Sequence, residues 1–475
     1  MKKLILPLFV SALIVTCEDL TEMNVDPKSP TQVEGNTLFT NAEKELVDFL
    51  ASTDVNINVF KMYAQYWTET TYTDEARYDM TNRAIPDNDW SILYREVLKN
   101  LEEASQLIEA NEDLDPGVKR NQLASIEVLK VLTFMHLVNI FGDIPYTEAL
   151  DFENPQPAYD DDRTIYADLF VRLDSAISNF DAAAAGFGEA DLFYGGDVAS
   201  WIRFANAVKL RMGITIADVD DAAARAAIES AAANTFTSNA DNTRMLYLDS
   251  PPNTNPIWVD LVQSGRQDFV AAETIIDAMN ALEDPRRAEY FTLGPDGAAY
   301  VGGDYGASNT YSEFSHAGER VVDPAFPAIV IDYAEVEFIL AEAVERGYNV
   351  GGTAEEHYNA AITASMEDWG VEPQAIATYL AQPSVAYATA EGDFRQKIGT
   401  QKWIALYLRG LQAWTEWRRL DYPVLNVPPG LTYEDIPLRF TYPVTEQNLN
   451  TAQWEQAANN IGGDEVSTPI FWDVN

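Results

Sequence analysis

The amino-acid sequence predicts a mostly helical, all-α protein. Apolar residues recur three or four positions apart over most of the 475-residue chain, whereas strand-like alternation is rare and short. Hydrophobic residues make up 47% of the chain, which is enough to bury a sizeable core. Many predicted helices pair into helix–turn–helix units of about 30–50 residues, the size range of tetratricopeptide-type repeats. These observations predict a scaffold of repeat-like helix pairs.

The first sixteen residues have the composition of an export signal. Two lysines, Lys2 and Lys3, precede an apolar run over residues 4–15, which is shorter than the roughly 20 residues needed to span a bilayer. The run leads to Cys17, the only cysteine of the chain, in a sequence that resembles a bacterial lipoprotein cleavage box. We therefore expect residues 1–16 to be a lipoprotein signal peptide and Cys17 to become the acylated first residue of the mature protein.

Residues 17–36 are expected to contain the acylated cysteine and a tether. Glu18 and Asp19 directly follow the cysteine and resemble the acidic signal that directs lipoproteins of Bacteroidota to the outer face of the outer membrane. The rest of this stretch is polar and contains prolines, which is typical of a linker. The remaining residues, 37–475, are predicted to form a single helical domain without a further segment of membrane-spanning length.

The chain is strongly acidic, with 75 Asp and Glu against 31 Lys and Arg and a formal net charge of −44. Such a surface repels phosphate backbones and anionic lipids, which excludes nucleic acid as a partner and passive adhesion to a membrane. Solubility explains the acidity itself. The three histidines, His136, His316 and His357, lie far apart in the sequence and give little material for a metal site or a catalytic triad.

The apolar periodicity predicts helices at 88–110, 121–141, 164–184, 199–217, 268–282, 331–346, 353–369 and 394–419. The second of these is apolar nearly all round and is therefore expected to be buried. Gly142 is a natural C-cap for it, and Pro145 prevents the helix from resuming. His136 lies inside this helix, and we interpret it as a core residue with satisfied hydrogen bonds, not a ligand.

Sequence patterns of common catalytic sites are absent. The chain has no P-loop, no dinucleotide-binding glycine fingerprint, no Gly-x-Ser-x-Gly elbow and no His-Glu-x-x-His motif. Three consecutive aspartates, 160–162, lack the alternation and the glycine of a calcium loop and are expected to precede a helix near Arg163. With 75 acidic residues some pair always suits a glycosidase, so paired carboxylates carry no weight. We expect no catalytic residue.

Two long irregular segments, about 53–89 and 284–327, are rich in aromatic residues. Long loops of this kind are usually functional or disordered, and disordered segments seldom carry so many rings. Aromatic faces stack on the C–H-rich faces of sugars, while hydroxyl and amide groups bind the sugar hydroxyls. Any single ring can equally be ordinary core. The candidate ligand-binding residues are Trp67, Tyr72, Tyr78, Tyr300, Tyr305 and Tyr311, with Gln65, Arg77, Asn82, Asp304 and Asn309 as polar neighbours.

An ordered set of short segments runs along nearly the whole chain. They are Asn-Val-Asp-Pro at 24–27, Phe-Gly-Asp-Ile-Pro-Tyr-Thr-Glu-Ala at 141–149, Asp-Pro-Arg at 284–286, Tyr-Ala-Glu-Val-Glu-Phe-Ile-Leu-Ala-Glu-Ala at 333–343, Gln-Lys-Trp-Ile-Ala-Leu at 401–406, Trp-Thr-Glu-Trp-Arg-Arg at 414–419, Tyr-Pro at 442–443 and Phe-Trp-Asp at 471–473, with Glu446 and Asn448 before the last. Each segment alone is weak, but the set in this order is specific. It resembles the SusD/RagB family of nutrient-binding outer-membrane lipoproteins, and most closely the SusD-like branch.

This resemblance implies an all-α fold in which tetratricopeptide-like helix pairs form a scaffold and irregular, loop-rich segments pack on it and build the ligand site. It also implies a partner, a SusC-like TonB-dependent barrel, which the lipoprotein covers as a hinged lid. The lid captures an oligosaccharide or a peptide without breaking a bond. The motif residues are expected to be structural, and Glu335 and Arg418 could form buried charge pairs.

The leading expectation is therefore a lipid-anchored, surface-exposed protein of the outer membrane that binds glycans and works with a transporter. The alternatives are the same lid for peptides, a secreted helical glycoside hydrolase that uses two carboxylates, and a scaffold that binds only a protein partner. No cofactor is expected, although an acidic extracellular protein could hold a structural calcium ion.

Overall fold

Helices dominate the structure, a computed structural model that describes residues 33–475. The N-terminal half contains α1 (Gly35–Ala51), α2 (Phe60–Tyr63), α3 (Ile85–Ser91), α4 (Lys99–Ala110), α5 (Pro116–Phe141), α6 (Asp162–Asn179), α7 (Val198–Thr215), α8 (Asp221–Ala231) and α9 (Pro256–Trp258). The C-terminal half contains α10 (Glu273–Ala281), α11 (Arg287–Tyr290), α12 (Tyr333–Glu345), α13 (Ala354–Asp368), α14 (Pro373–Leu380), α15 (Phe394–Ala405), α16 (Gly410–Leu420), α17 (Val444–Leu449) and α18 (Thr451–Asn460). The prediction of an all-α fold is confirmed.

The strands of the described residues are short and pair in twos. They are β1 (Trp67–Glu69), β2 (Ile144–Pro145), β3 (Tyr159–Asp160), β4 (Thr243–Met245), β5 (Phe269–Ala271) and β6 (Ala328–Ile331). The antiparallel pairs are β1 with β5, β2 with β3, and β4 with β6. In the first pair Trp67 lies opposite Ala271, and Glu69 lies opposite Phe269. β5 lies outside both irregular segments but connects β1 to the second of them, because the Ala271 N–H donates to the Ser315 carbonyl and the Gly303 N–H donates to the Ala271 carbonyl, both at 2.8 Å.

Helices that follow one another in sequence pack together, as the predicted helix pairs require. Contacts join α4 to α5, α5 to α6, α7 to α8, α12 to α13, and α15 to α16. One hydrophobic core runs through most of the fold, and a smaller one lies between α12, α13, α14 and α15. The residues Gly35–Asn475 form one compact unit, and α1 begins two residues inside the stretch expected to be a tether. Cys17 and the expected signal peptide lie outside the described residues.

Helix α5 is the buried helix that the sequence predicts, but it begins five residues earlier. The Asp115 side chain caps it by accepting hydrogen bonds from the N–H groups of Gly117 and Val118, with Pro116 in the first turn. It ends at Gly142, whose positive φ of 83° is one that glycine adopts without strain. Its length and composition alone would allow it to cross a membrane, contrary to the expectation for this part of the chain. Of its apolar 18-residue window 89% is buried within the fold, so it serves as a core helix.

His136, on α5, is a neutral core residue. It is 2% exposed and lines an interior cavity of about 60 Å³. Burial, together with the nearby Arg211, lowers the pKa of His136 to about 3. Its core position agrees with the expectation, although its Nε2 has no hydrogen-bond partner among the described protein atoms.

Two predicted helices are wrong in their extent because distant parts of the chain intervene. The segment 268–282 is helical only from Glu273, since β5 pairs with β1 instead. The segment 394–419 is two helices, because Leu408 adopts a left-handed φ of 73° between α15 and α16. At Gly410, which begins α16, a Cβ would lie 2.4 Å from the backbone nitrogen of Lys61, so glycine permits the close approach of α2. Local periodicity contains neither constraint.

A buried ion-pair network joins α7, α12 and the start of α16. The Glu335 carboxylate accepts hydrogen bonds from Arg211 Nε and Nη2, both at 2.7 Å, and from Arg409 Nη1 at 2.8 Å. Arg409 also donates to Asp332 at 2.7 Å. The expectation that Glu335 forms a buried charge pair is confirmed.

Arg418 does not form the expected carboxylate pair. Its guanidinium lies 3.5 Å from the centroid of the Trp414 ring and donates to the carbonyl oxygens of Leu438 at 2.7 Å and Asn139 at 2.9 Å. Burial lowers the pKa of Arg418 to about 9. The side chain therefore fixes backbone carbonyls of α5 and the C-terminal region through hydrogen bonds and ring stacking.

Candidate functional site

The candidate aromatic residues differ sharply in exposure. The Tyr72 side chain is 62% exposed and Tyr311 is half-buried, whereas Trp67, Tyr78 and Tyr305 are almost wholly buried. A ring needs an accessible face to stack on a ligand. In this conformation Tyr78, Tyr305 and most of the Trp67 surface offer no such face, and their role in ligand binding stays a prediction.

The buried rings instead hold the irregular segments in place. Trp67 Nε1 donates to the Tyr407 hydroxyl at 3.0 Å, and the Tyr305 hydroxyl donates to the carbonyl oxygen of Met62 at 2.8 Å. Burial raises the pKa of Tyr78 to about 12, in keeping with its core position. These rings therefore fix the irregular segments to the rest of the fold.

A groove of about 190 Å³ opens beside β1 and β5. The rings of Trp67 and Phe269, 5.9 Å apart, form its buried aromatic part. Tyr311 also lines it and stacks on the imidazole of His316, with ring centroids 3.8 Å apart and planes 11° from parallel. Polar side chains, including Arg266, complete the lining. Aromatic faces beside hydrogen-bonding groups suit a ring-shaped polar ligand such as a sugar. We call this cavity the groove.

The Tyr311–His316 stack is held by hydrogen bonds. His316 Nε2 lies 2.7 Å from the carbonyl oxygen of Tyr311 and must carry the proton, because a carbonyl only accepts. The His316 N–H donates to Thr292 Oγ1 at 3.0 Å, and the Thr292 N–H donates to the His316 carbonyl at 2.9 Å. The stack is therefore preorganised, which lowers the entropy cost of binding.

A second cavity, of about 230 Å³, continues the groove. It shares Arg266, Asp268 and Phe269 with the groove and is also lined by Thr53 and Asp260. Asp260 accepts hydrogen bonds from the Thr53 N–H at 3.1 Å and from the Thr53 hydroxyl at 2.8 Å. Burial raises the pKa of Asp260. Arg266 forms an ion pair with Asp268 where the two cavities meet, so together they make an elongated polar surface.

Neither Tyr72 nor Tyr300 lines the groove, although Tyr72 lies near its Arg266. The hydrogen-bonded Asp268 carboxylate raises the pKa of Arg266, and Tyr72 lies close enough to add a smaller electrostatic effect. Tyr300 packs elsewhere, with the Arg287 guanidinium 5.5 Å from its ring centroid.

The polar residues predicted beside these rings divide in the same way. Asn309 donates to the carbonyl oxygen of Glu69 at 2.9 Å, and Gln65 donates to that of Asn426 at 2.7 Å. Both side chains are buried and join loops to one another. The exposed members of the set are Arg77, Asn82 and Asp304.

Three residues of the groove, Arg266, Asp268 and His316, have no recognisable pattern in the sequence. Arg266 and Asp268 come just before β5, in a stretch whose apolar spacing resembles a helix. Their position depends on the pairing of β5 with β1, which lies far away in the sequence. The single available signal is that His316 follows Tyr311 by five residues within an aromatic loop.

A buried carboxylic acid pair lies next to the groove, at the end of β1. The Ala76 N–H donates to Glu69 Oε2 at 3.0 Å, and Arg83 forms an ion pair with Glu75. Burial, followed by the hydrogen bond with Glu75, raises the pKa of Glu69 to about 9. Burial therefore favours the protonated, neutral form of Glu69.

Three acidic residues cluster at the start of α6, with carboxylate oxygens of Asp143, Asp161 and Asp162 within 4.8 Å of one another. Asp161 caps the helix by accepting from the Thr164 N–H, so the aspartates precede a helix as predicted. Burial and the neighbouring Asp162 raise the pKa of Asp143 to about 7. A structural calcium ion stays a prediction, and among the described residues this cluster is a group of three carboxylates close enough together to hold one.

Comparisons with known proteins place these features in context. A SusD-like family model, described as starch-binding and associating with the outer membrane, matches residues 27–443. A chitin-binding SusD homologue from Flavobacterium johnsoniae is 27% identical, with a TM-score of 0.79 over 93% of this chain and 98% of that chain. A SusD homologue from Bacteroides uniformis is 27% identical, with a TM-score of 0.76 over 92% of this chain and 99% of that chain.

A SusD-like protein from Bacteroides thetaiotaomicron shares the fold. It is 23% identical, with a TM-score of 0.78 over 93% of this chain and 99% of that chain. The comparison with curated proteins gives no match.

Proposed function

The chain belongs to the SusD-like family, and from this premise we propose that it binds oligosaccharides at the outer membrane. The family is described as starch-binding, and the relative from Flavobacterium johnsoniae is described as chitin-binding. The expectation of a binding protein and not an enzyme is confirmed by these descriptions of its relatives.

The observation that carries this proposal is the Tyr311–His316 stack in the groove. With one face of the Tyr311 ring covered by His316, its other face is the surface that we propose for a sugar ring. Arg266 and Asp268 supply a donor and an acceptor for sugar hydroxyls. Because the second cavity continues beyond this ion pair, the surface suits an oligosaccharide better than a single sugar.

We further propose that the chain is a lipoprotein that works as a lid on a SusC-like TonB-dependent barrel. Family membership supports the partnership, and the sequence around Cys17 supports the lipid anchor. A lid moves toward its closed form only if the ligand binds that form more tightly than the open one. Transport through the barrel then needs no bond-breaking by this chain.

Binding is tested with the full-length chain in detergent on an array of starch, chitin and other oligosaccharides together with peptides. We expect saccharide binding that the Tyr311→Ala variant weakens. Binding of peptides alone would reassign the ligand class. Release of new reducing ends during incubation with a polysaccharide would contradict a binding role without catalysis.

The anchor and the partner are tested in cells with the Cys17→Ser variant. We expect the chain with its natural Cys17 in the outer-membrane fraction, where affinity purification recovers it together with a TonB-dependent barrel. The variant should leave the membrane fraction. A variant that still partitions into the detergent phase would contradict acylation at Cys17, and purification without any barrel would contradict the lid.

A further inference from the structure

A separate cleft, of about 470 Å³, lies on the helical scaffold and shares no lining residue with the groove. Lys99 and Glu102 on α4, Lys130 and Phe134 on α5, and Arg172 on α6 line it, and the loop after β2 closes it. Its volume is within the range of about 300–1,000 Å³ that is usual for ligand pockets. We call it the scaffold cleft.

The floor of the scaffold cleft is fixed by packing. Phe134 is 3% exposed, and the Tyr146 ring meets it edge-on with centroids 4.8 Å apart. The Arg172 guanidinium lies 5.6 Å from the Phe134 centroid and 5.4 Å from the Tyr146 centroid, and donates to the Tyr146 hydroxyl at 2.7 Å. These contacts form a rigid aromatic and cationic surface.

Three cations, Lys99, Lys130 and Arg172, and two carboxylates, Glu102 and Asp151, line the scaffold cleft, and among the described residues one cation has no carboxylate within ion-pair distance. Lys130 pairs with Glu102 at 2.7 Å, and Arg172 pairs with Glu127 at 2.5 Å. Lys99 has no carboxylate within ion-pair distance among residues 33–475 and donates only to the carbonyl oxygen of Leu150 at 3.3 Å. In a chain with a net charge of −44, an unpaired lysine at a cleft is a specific local attraction for an anion.

An exposed ring stands next to this lysine. Phe152 is 82% exposed, and the Lys99 ammonium lies 3.9 Å from its ring centroid. An accessible aromatic face, a cation and a concave polar surface are thus combined within one cleft. This combination suits a ring with C–H groups on its face and a negative substituent.

We propose that the scaffold cleft is a second saccharide site that takes a sugar unit carrying a negative group. The sugar ring stacks on Phe152, and its anionic substituent pairs with Lys99. A carboxylate, as in uronic acids, and a sulfate ester share this chemistry. The site is independent of the groove, because the two have different residues and different elements.

The test measures binding to the full-length chain in detergent by calorimetry at low salt. The probes are tetragalacturonate, a sulfated tetrasaccharide and the neutral cellotetraose. We expect one or both anionic probes to bind in preference to the neutral one, and more weakly as salt is added. Lys99→Gln and Phe152→Ala should each weaken this binding about tenfold or more. Lys119→Gln, on α5 outside the cleft, and Tyr311→Ala, in the groove, should leave it unchanged.

Several outcomes would overturn the proposal. They are the absence of binding by both anionic probes, equal affinity for cellotetraose, and loss of anionic binding in Tyr311→Ala. A photo-crosslinker at position 152 that captures another protein in cells would make this face a protein interface instead. Tyr311→Ala alters only the groove. Failure of the proposal for the scaffold cleft is therefore distinguishable from failure of the proposal that the groove binds glycans.

Discussion

The ring of Tyr311 lies flat against the imidazole of His316, with centroids 3.8 Å apart, and His316 Nε2 donates to the carbonyl oxygen of the same tyrosine at 2.7 Å. Both the ring and the backbone of Tyr311 are thus held by one side chain. A tyrosine fixed in this way loses little freedom when a ligand stacks on it. The groove therefore has a rigid platform before any ligand arrives.

Replacing this platform should weaken binding of the neutral oligosaccharide that the array identifies. We expect Tyr311→Ala to lower its affinity by ~1–3 kcal/mol, by analogy with aromatic stacking on nucleic-acid bases. Titration calorimetry measures the change, and the matched control is Tyr433→Ala, at a 42% exposed tyrosine that lines neither the groove nor the scaffold cleft. An unchanged affinity for Tyr311→Ala would remove the ring from the site.

Removal of the Glu335 charge should destabilise the fold. The Glu335→Gln variant leaves Arg211 and Arg409 buried with fewer acidic partners, and breaking a buried pair typically costs about 3–5 kcal/mol. Urea unfolding measures the loss of free energy. The control is Glu96→Gln at the exposed pair with Arg95, where we expect a change of about 0–1 kcal/mol. Similar losses of unfolding free energy at both positions would contradict the expectation that the buried network stabilises the fold more than the exposed pair.

The stability of the fold should fall in acid because of Glu416. Burial alone would raise the pKa of Glu416, but Arg419 and Lys402 outweigh burial and bring it to about 2, below the ordinary value of 4.5. The stabilisation is therefore fully present above pH 4.5 and is lost as the pH falls toward 2. Urea midpoints between pH 7 and pH 3 measure this loss. We expect a shallower decline in Glu416→Gln, and an identical decline would exclude Glu416 as a cause.

Glu69 should have the opposite pH dependence. Its pKa in the folded state, about 9, lies above the ordinary value of 4.5, so the folded state binds the proton that the unfolded state releases. Stability then decreases as the pH rises from 4.5 toward 9. Glu69→Gln, which keeps the shape and a hydrogen-bond donor, should raise the urea midpoint at pH 8 and flatten this slope. A lower midpoint at pH 8 would show that Glu69 is needed as a carboxylate.

The sequence by itself determined much of the helical scaffold. The apolar periodicity of α5 and its stop at Gly142 depend on neighbours within a few turns, and such local relations can be recognised without a structure. The segment around Cys17 and the ordered motifs also indicate the family from the sequence alone. The same local information predicted a helix where β5 forms and one continuous helix where Leu408 separates two.

Only the tertiary structure decided which aromatic residues have an accessible face. Trp67 and Tyr305 have the composition of binding residues but are buried, because β1 pairs with β5 and the aromatic loops pack on that pair. His316 and Arg266 join the groove through the same packing. Burial depends on contacts between residues that are distant in the sequence, and hydrophobic rings suit a core and a sugar-binding surface equally well. The sequence pattern therefore predicted the kinds of residue, and long-range packing determined whether each residue lies in the core or in the groove.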